Sequence, residues 1–148
     1  MFRLTSESLV AAELARALDN PAFGACVSFE GRVRDHNRGR PVLRLEYQAY
    51  PALAVKEGER ILREVRERFQ VEVIGVHRFG MLELGDVAVW VGAASPHRRA
   101  AFAACAQAMD EIKRRLPIWK REQYADGEAE WVHCAACHTY PAEAWTPR

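Results

Sequence analysis

Four clusters in this chain carry side chains able to grip an anion or move a proton. Gly31-Arg32-Val33-Arg34 is followed by His36, Arg38 and Arg40, which puts four arginines within nine residues of a chain whose net charge is only +1. A guanidinium meets phosphate or carboxylate through two parallel hydrogen bonds. This loop therefore reads either as an anion site at a strand end or as a charged hairpin tip that discourages edge pairing. Ser95-Pro96-His97-Arg98-Arg99 opens a helix. Cations there oppose the helix dipole, and a bound anion would resolve the conflict; the bland alternative is arginines splayed into water. Lys113 falls at the edge of an apolar helical stripe. It either snorkels over the core or presents its amine in a partly apolar pocket, where its pKa would fall. Lys120 stands beyond Pro117, between Trp119 and Arg121-Glu122. On a strand, Ile118, Lys120 and Glu122 share one face, and the Lys-Glu pair could also be a plain surface ion pair.

The fourth cluster is His133-Cys134-Ala135-Ala136-Cys137-His138. Its C-x-x-C-H string is the pattern of covalent haem attachment, but that chemistry needs export, and MFRLTSESLV is not an export signal. Zinc would need His133 and His138 to complete a four-ligand set. A redox pair is expected near an early βαβ unit, not in a tail. The cysteines are read as incidental, with metal binding and redox chemistry kept as the alternatives.

The elements that must position these groups follow from periodicity. Thr5 or Ser6 caps a first helix carrying Leu9, Val10, Leu14 and Leu18, which ends at Asp19-Asn20-Pro21. Residues 24–33 and 42–49 alternate as strands and read as one long hairpin around the basic loop. Pro51 starts a helix with Ala54, Ile61, Leu62, Val65 and Phe69 on its apolar side. Residues 71–79 and 87–94 form a second strand pair across a turn region at 80–86. Ser95 caps the third helix with Pro96 at its first position; Phe102, Cys105, Met109, Ile112 and Leu116 make its stripe, and Pro117 ends it. Residues 118–124 and 130–134 form a last hairpin around Asp126-Gly127. The order α-ββ-α-ββ-α-ββ, with strands in hairpin pairs, predicts an α+β fold: an antiparallel or mixed sheet with helices packed on one side. Residues 1–140 are expected to form a single catalytic domain and residues 141–148 a flexible tail.

Composition narrows the function classes. At 148 residues, with 49% hydrophobic and 28% charged, the chain fits one ordinary globular domain. A net charge of +1 argues against whole-molecule nucleic-acid binding. No run approaches the length of a membrane span. The expected compartment is the cytoplasm, where the four cysteines stay reduced.

Taken together, FEGRVRDHNRG at 29–39, LEYQAYPALA at 45–54, the stretch from His77 to Cys105 containing SPHR, and MDEIKRRLPIWKRE at 109–122 resemble the large, catalytic subunit family of molybdopterin synthase. The match runs in order over roughly residues 20 to 133. That resemblance implies an α/β-hammerhead-like fold. It implies a sulfurtransferase that moves sulfur from the C-terminal Gly-Gly thiocarboxylate of a small ubiquitin-like carrier subunit to cyclic pyranopterin monophosphate, forming the dithiolene of molybdopterin. It also implies a central homodimer within a heterotetramer. The family's essential lysines correspond to Lys113 and Lys120. Lys113 would stand beside the carrier's terminal carbonyl, and Lys120 would move protons or position substrate. Arg32, Val33 and Arg34, His97 and Arg98, and Arg121 and Glu122 match substrate-binding positions. Phe29 and Met109 would shape the pocket wall. No metal and no organic cofactor is implied, and Cys134 and Cys137 have no counterpart in the family's motifs. Two rivals stand beside this reading: an anion-, nucleotide- or RNA-binding module using the Arg32–Arg40 loop, and a redox or metal protein centred on the tail.

Overall fold

A computed structural model describes residues 1–132 of the chain; His133, Cys134, Cys137 and His138, and with them every reading of the C-x-x-C-H cluster, lie outside the described residues. The elements are β1 (Phe2–Thr5), α1 (Ala11–Arg16), β2 (Ala25–Arg32), β3 (His36–Asn37), β4 (Arg40–Ala49), α2 (Pro51–Phe69), β5 (Glu72–Arg78), β6 (Gly80–Glu83), β7 (Val87–Ser95), α3 (Arg98–Arg115), β8 (Ile118–Tyr124) and β9 (Ala129–Val132).

The strands form two sheets. One has the order β1-β5-β7-β2, and the other has the order β3-β4-β8-β9 with β6 also paired to β4. The first sheet is mixed: β1 runs parallel to β5, while β5, β7 and β2 are antiparallel. The α+β class with antiparallel and mixed sheets is therefore what the periodicity predicted.

Four details differ from the sequence expectation. First, β2 and β4 are not a hairpin. β2 pairs with β7, whereas β4 crosses to the other sheet and pairs with β8. Sequence adjacency made them look like partners, but the strands that bury them best come from later in the chain. Second, the N-terminal residues form an edge strand before α1. Phe2 sits 3% exposed against α2, where Gly58 makes room: a Cβ there would come within 2.2 Å of the Phe2 ring. Third, residues 80–83 form β6 instead of a bare turn. Fourth, the helices do not share one side. α2 and α3 pack with Val73, Val89, Val91 and Ala93, while α1 packs over Ile74, Val76, Trp90 and Ala94. Alternate residues of β5 and β7 thus face opposite layers, which explains the near-continuous apolar run of β7.

α2 keeps the predicted stripe: Ala54, Ile61, Leu62 and Val65 are buried. Truncating Leu62 to alanine would cost about 2–5 kcal/mol on the usual scale for core leucines. In α3 the face toward the sheet is built from small residues, Ala101, Ala104, Cys105 and Ala108, ahead of Met109 and Ile112, so the helix lies close to β7 and β2. Phe102, expected in that stripe, is 49% exposed instead. In β4, Val42 is buried and Leu43 is exposed. The last hairpin forms as predicted, with Gly127 at φ +92 in its turn, although β9 spans Ala129–Val132. Among the described residues no helix is long and apolar enough to cross a membrane.

Candidate active site

α3 runs antiparallel to β7, so the two ends of the first sheet receive different chemistry. At one end, Ala25 of β2 pairs with Ser95, next to His97 and Arg98. At the other, Arg32 pairs with Val87, and the C-terminal turn of α3 brings Lys113 back to the same end. Fifteen residues of helix, at about 1.5 Å each, separate Arg98 from Lys113 by about 22 Å. Within one chain, the His97-Arg98 grip and the lysines cannot line one pocket.

The lysine end is dense. β8 carries Ile118, Lys120, Glu122 and Tyr124 on one face, next to Leu45 and Tyr47 of β4. Lys120 Nζ lies 2.9 Å from Glu122 Oε1. Glu122 is 3% exposed. Its Oε2 accepts hydrogen bonds from Asn37 Nδ2 at 2.7 Å and from the Tyr124 hydroxyl at 2.6 Å. Burial alone would raise its pKa, but those two bonds and the one from Lys120 outweigh burial and hold it below the ordinary carboxylate value. The carboxylate therefore stays charged, and it anchors Lys120 from β8 to the β3 loop.

Lys113 differs. It is exposed along its length, yet desolvation, followed by the charge of Lys120, lowers its pKa below the ordinary lysine value. Solvent reaches the residue, while protein packed around the ammonium removes part of its hydration. Among the described residues no carboxylate comes within ion-pairing distance of it.

Two residues that sequence reasoning did not select lie beside these lysines. His77 lies on the β5 face shared with Val73 and Gly75, beneath the end of α3, and is 3% exposed. Its Nδ1 is 2.7 Å from the Arg78 carbonyl, so Nδ1 carries the proton and donates it. Burial first, and the Lys113 charge as well, push its pKa down to about 4. The Tyr47 ring meets it edge-on, with centroids 5.1 Å apart. Tyr47 faces Lys120 across the ladder, and burial followed by the Glu122 charge pushes its phenol up to about 12. Both groups are neutral at pH 7. The only available signal in the sequence was a polar residue at an inward position of an otherwise apolar strand.

The other expected site residues divide. Arg32 and Arg34 are exposed at the lysine end. Arg32 lies on Glu30, with Nη2 at 2.5 Å from Oε2. Val33 offers no side chain to a ligand: it is 4% exposed in the core of the second sheet, and its N–H and C=O are bonded to Asp86 and Gly85. Phe29 is 42% exposed on the edge strand β2, while Met109 is 8% exposed and belongs to the core. Arg121 points away from Lys120 and Glu122, because neighbouring residues of a strand face opposite sides. It lies 3.7 Å from Glu46 and lines a cleft of about 230 Å³ with Arg44, Met81 and Gln123. Another cleft, of about 280 Å³, sits by Leu18, Phe23 and Arg66, far from the lysines. Cavity size is thus a poor guide to the chemistry here; the crowding of charged groups is a better one. His97 caps α3 in extended conformation (φ −132, ψ 141) without a side-chain cap bond, and the Ser95 hydroxyl donates to its carbonyl at 2.7 Å. The helix thus begins at Arg98, later than Pro96, with no acidic residue in its first turn.

The basic loop is not one continuous cationic strip. Arg40 is clasped by Asp126 at 2.8 Å and Glu130 at 2.5 Å, and it stacks over the Tyr124 ring at 3.8 Å. His36 is bonded to Asp35. This leaves Arg34 and Arg38 without an ion pair among the described residues, too few for an RNA track. No group of three His, Cys, Asp or Glu side chains among the described residues could hold a metal.

Known proteins resemble this chain along most of its length. The family model described as MoaE protein matches residues 4–115. A molybdopterin synthase catalytic subunit from Nostoc sp. is 39% identical over 138 residues, covering 92% of this chain and 84% of the relative. One from Pyrococcus abyssi is 44% identical over 121 residues, covering 81% of each. The crystal structure of molybdopterin synthase from Staphylococcus aureus superposes with a TM-score of 0.83 at 34% identity, covering 87% of this chain and 94% of that one.

Proposed function

This chain belongs to the MoaE protein family, and from that premise we propose that its Lys113–Lys120 end transfers sulfur from the C-terminal thiocarboxylate of a small carrier subunit to cyclic pyranopterin monophosphate. The observation that carries the reading is the pair of neighbouring lysines: Lys120 is held by a buried carboxylate, whereas Lys113 has no counter-ion among the described residues and a lowered pKa.

The chemistry requires two different cations. A thiocarboxylate sulfur bonds to a carbon of the substrate as a C–O bond of that carbon breaks, its electron pair leaving with the oxygen as the opened phosphate ester or as water, which links carrier and substrate through a thioester. Water then adds to the acyl carbon, the acyl C–S bond breaks, the sulfur stays on the substrate, and the carrier leaves as a carboxylate. Negative charge develops on the acyl oxygen during that addition. An ammonium without a fixed counter-ion, partly stripped of its hydration, is suited to stabilise the oxyanion. That is the role of Lys113. Lys120, fixed to Glu122, positions substrate and exchanges protons. His77 and Tyr47 form a neutral floor that neither competes for the oxyanion nor quenches Lys113. The relatives' designation as a catalytic subunit itself implies a second polypeptide, here the carrier.

The substrate's cyclic phosphate needs cationic partners. Arg32 and Arg34 stand at the lysine end. His97 and Arg98 are about 22 Å away along α3, so they complete a site only on a second copy of the chain. The reading is therefore a homodimer in which the α3 N-terminus of one chain reaches the lysines of the other. A dimer axis makes two such sites at once.

Reconstitution tests the function. Purified chain, thiocarboxylated carrier and cyclic pyranopterin monophosphate should give dithiolene product and desulfurised carrier in a ratio of about one to two, since a dithiolene holds two sulfurs and each thiocarboxylate supplies one. Folded chain that leaves both reactants unchanged would rule the reading out.

A further inference from the structure

The pair Arg78–Asp86, a buried guanidinium on a carboxylate 35% exposed, has no part in the chemistry described above. We infer that it is a positioning device that sets the Arg32–Arg34 segment for its anionic ligand, acting through the turn at 83–86; this rests on the function proposed above. Arg78 is 7% exposed, and its Nη1 lies 3.1 Å from Asp86 Oδ2. The same carboxylate oxygen accepts the Glu83 N–H at 3.1 Å, and the Asp86 N–H returns to the Glu83 carbonyl at 3.1 Å, closing the turn. Gly85 within the turn adopts φ +83, a conformation that favours glycine. Its N–H then donates to the Val33 carbonyl at 2.9 Å, and the Asp86 carbonyl accepts the Val33 N–H at 3.0 Å. The ladder of β2 slips between Gly31 and Arg32. Past that irregularity the chain is held at Val33 by two backbone bonds and by a core side chain. Arg32 and Arg34, the residues on either side, are both exposed.

Energetics favour placement over stability as the reason for the pair. Arg78 gives up its hydration for one carboxylate contact, and its Nε finds no partner. An ion pair with one buried and one partly exposed partner returns little net stability. What it does supply is one fixed geometry for the turn, and hence one fixed spacing for the two arginines that flank Val33. Bidentate anion recognition is sensitive to that spacing.

The test uses Asp86→Asn, which keeps an acceptor for the Glu83 N–H but removes the charge that holds Arg78. Amide exchange at Val33 and Gly85 should quicken about tenfold, while the β5–β7 ladder keeps its protection. In the reconstituted reaction, KM for cyclic pyranopterin monophosphate should rise about tenfold, with kcat within about twofold of the parent, the pattern of lost binding and not of lost chemistry. In an Arg34→Ala background the same change should add little, because the arginine it positions is gone. Arg78→Lys should keep part of the affinity that Arg78→Gln loses. Unchanged Val33 exchange in Asp86→Asn would overturn the inference whatever the activity. So would independent, multiplying losses in the double variant, or a fall in kcat at constant KM. If the parent protein makes no product at all, the proposed function fails, and the exchange measurement still decides whether the clamp exists.

Discussion

Lys113 and Arg115 stand two residues apart on the last turn of α3, and they meet opposite surroundings. Arg115 is 17% exposed in its side chain and gathers three carboxylates: Glu57 at 2.6 Å, Glu64 at 2.6 Å and Glu111 at 3.1 Å. These bonds tie α3 to α2. The hydrogen bonds that Arg115 donates to Glu64 lead the effects that raise its pKa. Lys113 has no ion pair among the described residues, and after burial the charge that acts on it is that of another lysine, Lys120. Both side chains suit the helix end, where cations complement the dipole. One is spent on holding the fold; the other is left exposed and partly desolvated. The fold can supply an acidic cluster for a cation on this turn, and it supplies none for Lys113. A cation kept without a counter-ion at such a site is a candidate for chemistry.

Four experiments can break or sharpen that contrast. The largest effect is expected at Lys113. Lys113→Ala should lower turnover with thiocarboxylated carrier by about a hundred- to a thousandfold, the usual cost of losing one oxyanion partner. Its unfolding midpoint should stay at or above the parent's, since a partly desolvated cation without a partner is removed. Full turnover in this variant would dissolve the distinction between the two cations.

Arg115→Ala should behave in reverse. Denaturant unfolding should show a loss of about 2 kcal/mol, between the value of an exposed pair and that of a buried network. Turnover at 25 °C should stay within a few-fold of the parent. A stability change near zero would mean that the acidic cluster does not staple α2 to α3.

The third effect is smaller at neutral pH and grows on acidification. His77 has a folded pKa of about 4 and an ordinary value of 6.5. Between those values the unfolded chain binds a proton that the folded chain refuses, so stability falls as pH drops through this window and levels off below it. The limit is about 3 kcal/mol, from 1.36 kcal/mol per pH unit. His77→Asn can still donate to the Arg78 carbonyl but does not titrate, so its stability should vary less across pH 4 to 6.5. An equal slope in both proteins would mean that His77 is not the group responsible.

How much of this could be read in the sequence differs by kind of feature. The lysines, the arginine loop and the SPHR string are polar residues at positions where a fold does not require them, and they stood out. Strand alternation also put Lys120 and Glu122 on one face; the same rule applied to Arg121 would have set it on the other. What could not be read was pairing between distant elements. Nothing local to residues 24–33 says that they pair with β7 and not with the next strand, because that choice is made by which faces α3 and β8 leave open. His77 was hidden for the same reason: its inward position gains meaning only when Lys113 arrives above it from residues far along the chain. The separation of His97-Arg98 from Lys113 was present in the helix length, but the direction in which α3 returns over β7 is what sets the two groups at opposite ends.

The most direct measurement mixes two inactive chains. Lys113→Ala and Arg98→Ala are each expected to be defective, one at the lysine end and one at the α3 N-terminus. If a site joins the lysine end of one chain to the His97-Arg98 end of another, half of the dimers formed at random are mixed, and each mixed dimer holds one intact site of two. Activity should then return to about one quarter of the parent's. If both groups served one site within a single chain, no mixed dimer would contain an intact site, and recovery no greater than either variant alone would contradict the two-chain arrangement.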